Sequence, residues 1–174
     1  MILQNYWAWR AQTQNTNTTS NITGITGITD MTGTAVTTIM RGTGSSVAAP
    51  NNSNNTLSNG VTNATALALV FGSGDTTPTA LDYALDTDET TNLTATGTNT
   101  FSYASDKMEI VFAYTIRNNS ANSITIKEVG IKKQIYTTSI STTVDVLLAR
   151  EVFSSPITIA AGETKTINYT WTMQ

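Results

Sequence analysis

Lys107-Met108-Glu109-Ile110-Val111-Phe112-Ala113-Tyr114-Thr115-Ile116-Arg117 decides the fold. Met108, Ile110, Phe112, Tyr114 and Ile116 recur with a period of two, while Lys107, Glu109, Ala113, Thr115 and Arg117 keep the alternate positions mostly polar. Val111 is the one interruption. Successive side chains of a strand point to opposite faces, so this pattern predicts a half-buried antiparallel strand. Downstream, Asn118-Asn119-Ser120-Ala121-Asn122-Ser123 has turn composition, and Ile124-Thr125-Ile126 begins the return strand. Ile124 and Ile126 are even whereas Val129 and Ile131 are odd, which predicts a β-bulge at Lys127-Glu128 with Gly130 relieving the backbone. Val144 to Phe153 reads as a central strand stopped by Ser154-Ser155-Pro156. Ile157-Thr158-Ile159 then leads through the Ala160-Ala161-Gly162-Glu163 turn. The last strand sets Ile167, Tyr169, Trp171 and Met173 against Thr166, Asn168, Thr170 and Thr172, which makes Trp171 a core residue. Upstream, Ala66 to Phe71 is a buried run cut by Gly72-Ser73-Gly74-Asp75, and Val36 to Arg41 is a further strand. The expected fold is all-β, an antiparallel two-sheet sandwich of the immunoglobulin-like or jelly-roll kind.

Composition points the same way. Of 174 residues, 36 are Thr, 16 Asn and 14 Ser, against 21 charged residues. Thr favours strands, Asn and Ser favour turns, and little material is left for amphipathic helices. The chain has no His and no Cys, which removes the histidine base, the thiolate nucleophile, the disulfide and the usual zinc and iron–sulfur ligands. A net charge of −3, with Lys132-Lys133 the one basic pair, argues against nucleic acid as a partner. No window approaches the roughly 18 consecutive apolar residues of a membrane helix, so no membrane partner is expected. Met1 to Arg10 lacks a basic leader and breaks its apolar run at Gln4 and Asn5, so it does not read as a signal peptide.

Residues 1–60 differ in texture from 61–174. The triplets Ile22-Thr23-Gly24, Ile25-Thr26-Gly27 and Ile28-Thr29-Asp30 have a period of three, which suits neither helix nor flat strand. Extended chain lying in a groove is the expectation for residues 11–34, and residues 43–60 have linker composition. Residues 1–60 are therefore read as an extended N-terminal arm with one or two short strands, and 61–174 as the sandwich. Tyr6, Trp7 and Trp9 are aromatics in a polar arm, and anchoring in a neighbouring subunit accounts for them more simply than a sugar platform does. With Ile22, Ile25 and Ile28 they form the expected partner-binding set.

Candidate chemistry is sparse. Gly72-Ser73-Gly74-Asp75 has the glycines of a phosphate loop but no following Gly-Lys-Ser/Thr, and reads as a tight turn. Asp82, Asp86, Asp88 and Glu89 surround Tyr83 without the spacing of a calcium loop, and read as a solvated acidic loop. Asp106, Glu109, Asp145 and Glu151 suit cross-strand pairing with Lys107, Arg117, Lys127 or Arg150 better than carboxylate-pair hydrolysis. No catalytic residue, metal or cofactor is expected, and the protein is read as no enzyme.

An ordered series of segments, Val70-Phe71-Gly72-Ser73-Gly74-Asp75-Thr76-Thr77-Pro78-Thr79, Asp82-Tyr83-Ala84-Leu85, Tyr114 to Ser120, Ile126-Lys127-Glu128-Val129-Gly130-Ile131, Val146 to Val152 and Ile157 to Thr164, resembles small β-sandwich structural proteins of tailed bacteriophages. The resemblance spans about residues 61–174 and leaves 1–60 unmatched. It implies a non-enzymatic virion component made in the host cytoplasm, most simply head-decorating or head-proximal, with a neck or tail position as the alternative. Its partners would be capsid, neck or tail subunits and further copies of itself, as a homo-oligomer. The other class of function that fits exposed aromatics and Asn/Thr side chains is a module recognising host glycan or receptor. Assembly through the arm predicts that loss of residues 1–60 leaves a folded domain unable to incorporate.

Overall fold

The structure, a computed structural model, describes residues 1–6, 22–23, 27–39, 67–104, 107–137 and 142–173. The decisive segment is the middle strand of a sheet. Strand β5 (Lys107–Asn118) lies between β4 (Leu93–Ala104) and β8 (Thr164–Met173), and both pairings are antiparallel without a break in register. A second sheet has the order β3 (Ala68–Gly72), β6 (Ile124–Thr137), β7 (Thr142–Ile159). Two short strands, β1 (Ile22–Thr23) and β2 (Thr38–Ile39), pair with each other. The chain is thus an all-β, antiparallel two-sheet sandwich, as the alternation predicted.

By contacts the chain divides into two compact units. One comprises Leu69–Thr76, Asp86–Val129 and Val152–Gln174. Here Ile110, Phe112, Tyr114 and Ile116 of β5 are buried, and Ile110 faces Trp171 and Tyr114 faces Ile167 across the β5–β8 pairing. Phe112 packs its ring 6.2 Å from that of Tyr169 and 6.3 Å from that of Tyr114. Leu69, Val70 and Phe71 of β3 and Ile124, Ile126 and Ile159 complete this core. Burial pushes the Tyr114 phenol above its ordinary pKa of 10.0, against a smaller opposing effect of the Leu69 backbone.

The other unit comprises Met1–Ala68, Thr77–Leu85 and Gly130–Glu151, so residues 1–60 are one contributor among three. Its buried residues include Leu3, Tyr6, Ile28, Val36, Leu67, Leu85, Ile131, Ile135 and Val146 to Ala149. The N-terminal residues run antiparallel to β7, with Ile2 opposite Ala149, the Leu3 N–H donating to the Leu148 carbonyl at 3.0 Å and the Arg150 N–H donating to the Met1 carbonyl at 3.1 Å.

Two expectations need correction. β7 does not stop at Ser154-Ser155-Pro156 but continues as one strand to Ile159. Beyond Leu148–Arg150, where the N-terminal residues pair with it, β7 is last in its sheet order among the described strands, and such an edge tolerates a residue without an N–H; Ser154, Ser155 and Pro156 are all exposed. Residues 27–36 are not extended chain in a groove: they form a tight hairpin in which Thr29 pairs Ala35 and the Val36 N–H donates to the Ile28 carbonyl at 2.9 Å. Asp30 starts the turn, its Oδ1 accepting from the Thr32 N–H (2.9 Å) and the Thr34 N–H (2.8 Å), and Gly33 at φ 87° takes the left-handed position the turn requires. The strand read over Val36 to Arg41 is present at Thr38–Ile39 and does not include Val36 or Thr37, while Met40 and Arg41 lie outside the described residues. In β6 the buried parity does change, from Ile124, Ile126 and Glu128 to Val129, Ile131, Lys133 and Ile135, within an unbroken strand.

Candidate functional site

The expected partner-binding set divides sharply. Trp7, Trp9 and Ile25 lie outside the described residues, as do Asp106 and residues 43–60, and of Ile22 only the backbone is described. Tyr6 and Ile28 are each only 1% exposed. The reason is local. The N-terminal pairing with β7 leads into helical residues Gln4 to Tyr6, where the Tyr6 N–H reaches the Leu3 carbonyl at 3.1 Å. Asn5 then clamps the hairpin: its Nδ2 donates to the Thr29 carbonyl (2.8 Å) and the Leu147 carbonyl (3.1 Å), and its Oδ1 accepts from the Thr29 N–H at 2.8 Å. A buried amide with its donors and acceptor used is a specific fastening.

Beside this clamp lies the loop Thr77–Leu85, fastened by two contacts. The Gln4 N–H donates to the Ala80 carbonyl at 2.8 Å, and Arg150, almost fully buried, donates from Nη1 to Asp82 Oδ2 at 2.7 Å. Burial acts to raise the Asp82 carboxyl, but hydrogen bonds from Thr79 and Arg150 outweigh it and hold the pKa below the ordinary 3.8. On the outside of the loop Leu81 is 74% exposed, and the half-exposed ring of Tyr83 comes within contact distance of the position a Gly33 Cβ would take.

In the sandwich unit the Gly72-Ser73-Gly74-Asp75 segment cradles an anion, and the anion is the protein's own. Glu128, fully buried on β6, accepts at Oε1 from the Gly74 N–H (3.2 Å) and the Thr87 N–H (2.9 Å), and at Oε2 from the Asp86 N–H (3.2 Å). A Cβ on Gly72 would lie 2.4 Å from Glu128 Oε1, and one on Gly74 2.7 Å from it. Only glycine leaves room for the carboxylate to approach this backbone. Outside the cradle, Ser73 donates to Glu89 at 2.7 Å, Asn92 donates to Glu89 at 2.8 Å, Thr90 donates to Asp88, and Lys127 pairs with Asp75 at 2.8 Å. The Lys127 hydrogen bond and charge hold the exposed Asp75 carboxyl below its ordinary value. The Asp82, Asp88 and Glu89 carboxylates are therefore engaged with neighbouring donors. Among the described residues no group of three or more His, Cys, Asp or Glu side chains is arranged to hold a metal ion.

Two notable groups escaped the reading of the sequence. Glu128 is one. Lys133 is the other: it is 0% exposed on the same face of β6 as Ile131 and Ile135, and burial pulls its ammonium pKa from 10.5 down to about 7. The odd parity begun by Val129 and Ile131 leads to Lys133 two residues on, so its burial follows from extending a pattern already visible. Asp145 of β7 pairs across to β6 as expected, though with Lys132, at 2.6 Å, whereas Glu109 meets Lys107 of its own strand at 2.9 Å.

Compared with known proteins, the chain matches no family model, no curated protein and no solved structure. Among the described residues no helix is long and apolar enough to cross a membrane.

Proposed function

We propose that this chain is a non-enzymatic structural protein of a tailed-bacteriophage virion, head-decorating or head-proximal, assembled with further copies of itself and with capsid subunits. One observation carries the reading: the residues on which the phage resemblance rests are spent on holding the fold. Gly72, Gly74 and Glu128 make the carboxylate cradle. Asn118, fully buried, donates to the Asn122 and Ile159 carbonyls at 2.8 and 3.0 Å and accepts from Ser120. Arg150 and Asp82 fasten the loop of the other unit. A motif series devoted to internal fastening suits a protein whose task is to be a stable part. With Tyr6 and Ile28 buried, an aromatic assembly contact falls to Trp7 and Trp9, which follow directly in the chain.

The test is immunogold labelling of phage particles banded from lysates of the host that carries this coding sequence. Label on the heads is the expected result. Label at the neck or tail keeps the virion role and moves its position, whereas protein found only in the soluble fraction, with bare particles, overturns the reading.

A further inference from the structure

Among the described residues strand β4 is an edge, and it lacks the usual protection. Leu93-Thr94-Ala95-Thr96-Gly97-Thr98-Asn99-Thr100-Phe101-Ser102-Tyr103-Ala104 carries no charged residue and no proline. It pairs with β5 over all twelve residues in one register, with no bulge to twist its outer side away. Natural edges are blunted by charge, proline, bulges or short length, since an unprotected edge is a template for another strand. The opposite edge, β8, carries Lys165. Among the described residues no strand pairs with the outer side of β4.

The direction of the outward groups can be read from the ladder. The Asn119 N–H donates to the Asn92 carbonyl at 2.9 Å, which places Asn92 and the even-numbered residues after it in hydrogen-bonded pairs with β5. Ala95, Gly97 and Phe101 therefore aim their N–H and C=O groups outward. In a two-fold antiparallel pairing of β4 with itself, these odd-numbered residues must oppose odd-numbered residues. Even-numbered residues then oppose even-numbered ones, and exposed Thr94, Thr96, Thr98, Thr100 and Ser102 line up with the same set on one face. The sheet's existing outer face already matches hydroxyl with hydroxyl, Thr96 beside Thr115 beside Thr166.

We propose that β4 is the interface of a two-fold dimer, in which the strands of two copies join to make one continuous six-stranded sheet. Charge selects a second copy as the occupant. On a chain of net charge −3, an edge with no charge along its length is where two identical surfaces meet without opposing like charges. The inference concerns the bare chain in solution and stands or falls apart from the particle labelling.

The test is sedimentation equilibrium of the full-length chain across a concentration series, with hydrogen exchange at the Ala95 and Gly97 amides. The expected mass at high concentration is twice that of one chain, with protection of both amides rising alongside it. Ala95→Pro removes an outward N–H and Thr98→Lys places like charges near the two-fold axis, so each should weaken dimerisation at least tenfold while circular dichroism stays native. Thr170→Lys, on β8, should leave it unchanged. Three results would overturn the proposal: a wild type monomeric at every concentration, amides protected independently of concentration, or a dimer indifferent to both β4 substitutions while all variants remain folded.

Discussion

Two buried charged side chains set the energetics at the scale of the residue, and they act in opposite senses. Glu128 satisfies backbone donors of Gly74, Asp86 and Thr87 that would otherwise be turned inward without an acceptor. Each buried polar group left unmet costs about 1–3 kcal/mol, so Glu128→Ala should lower unfolding free energy by about 3 kcal/mol or more. Glu128→Gln, which keeps an acceptor oxygen, should cost about half as much. Urea titration of both variants checks this, and a loss under about 1 kcal/mol for the alanine would refute the cradle as a stabilising device. Lys133 is destabilising at neutral pH because its folded pKa, about 7, lies below its unfolded value near 10.5. Between those values the unfolded chain holds the proton and the folded chain does not, so this contribution to stability rises with pH by up to about 1.4 kcal/mol per unit. Below pH 7 both states are charged and the full penalty stands. Lys133→Met should abolish that difference in slope, measured as the gap between wild-type and variant urea midpoints from pH 7 to 9.

The strands differ in how openly the sequence declares them, and the reason is where each lies in its sheet. β5 and β8 have one buried and one solvated face, so their alternation survives intact in the sequence and gave their pairing faces correctly. β7 was concealed by Pro156, which reads as a stop until the strand is known to be an edge. The hairpin at residues 28–36 was concealed by the triplet pattern, since one Asp and one Gly fix it while the isoleucines set the period. The carboxylate cradle joins residues 54 positions apart, and no local pattern encodes such a contact. Asn118 is the clearest element-scale lock, because its side chain ties the end of β5 to the following turn and to Ile159 of β7. Asn118→Ala should cost about 2 kcal/mol and release the Ser120 amide to fast hydrogen exchange. Protection of Ser120 unchanged in the variant would show that the turn holds without the side chain.

At the scale of the whole molecule the question is whether the N-terminal residues are an appendage or part of a core. Read from composition they are an arm, because the Thr, Asn and Gly of residues 11–60 follow them and carry little apolar material to bury. The structure gives Leu3 and Tyr6 to the interior, together with Ile28 and Val36, and ties Met1 and Leu3 to β7 by backbone hydrogen bonds. Their burial closes a unit that also needs Thr77–Leu85 and Gly130–Glu151, segments far away in sequence. The two views make different forecasts for a single substitution. If the segment were an arm fixed only by a neighbouring subunit, Leu3→Ala would weaken assembly and leave the unfolding of isolated chains unchanged. As a core residue with 0% exposure, Leu3 should cost about 2–5 kcal/mol on truncation to alanine, even at concentrations where the protein is monomeric. Hydrogen exchange should then rise at the Leu3 and Arg150 amides, which that pairing protects, while the Glu163-bonded Asn118 amide keeps its wild-type rate. An unchanged urea midpoint for monomeric Leu3→Ala would return the N-terminal residues to the status of an arm.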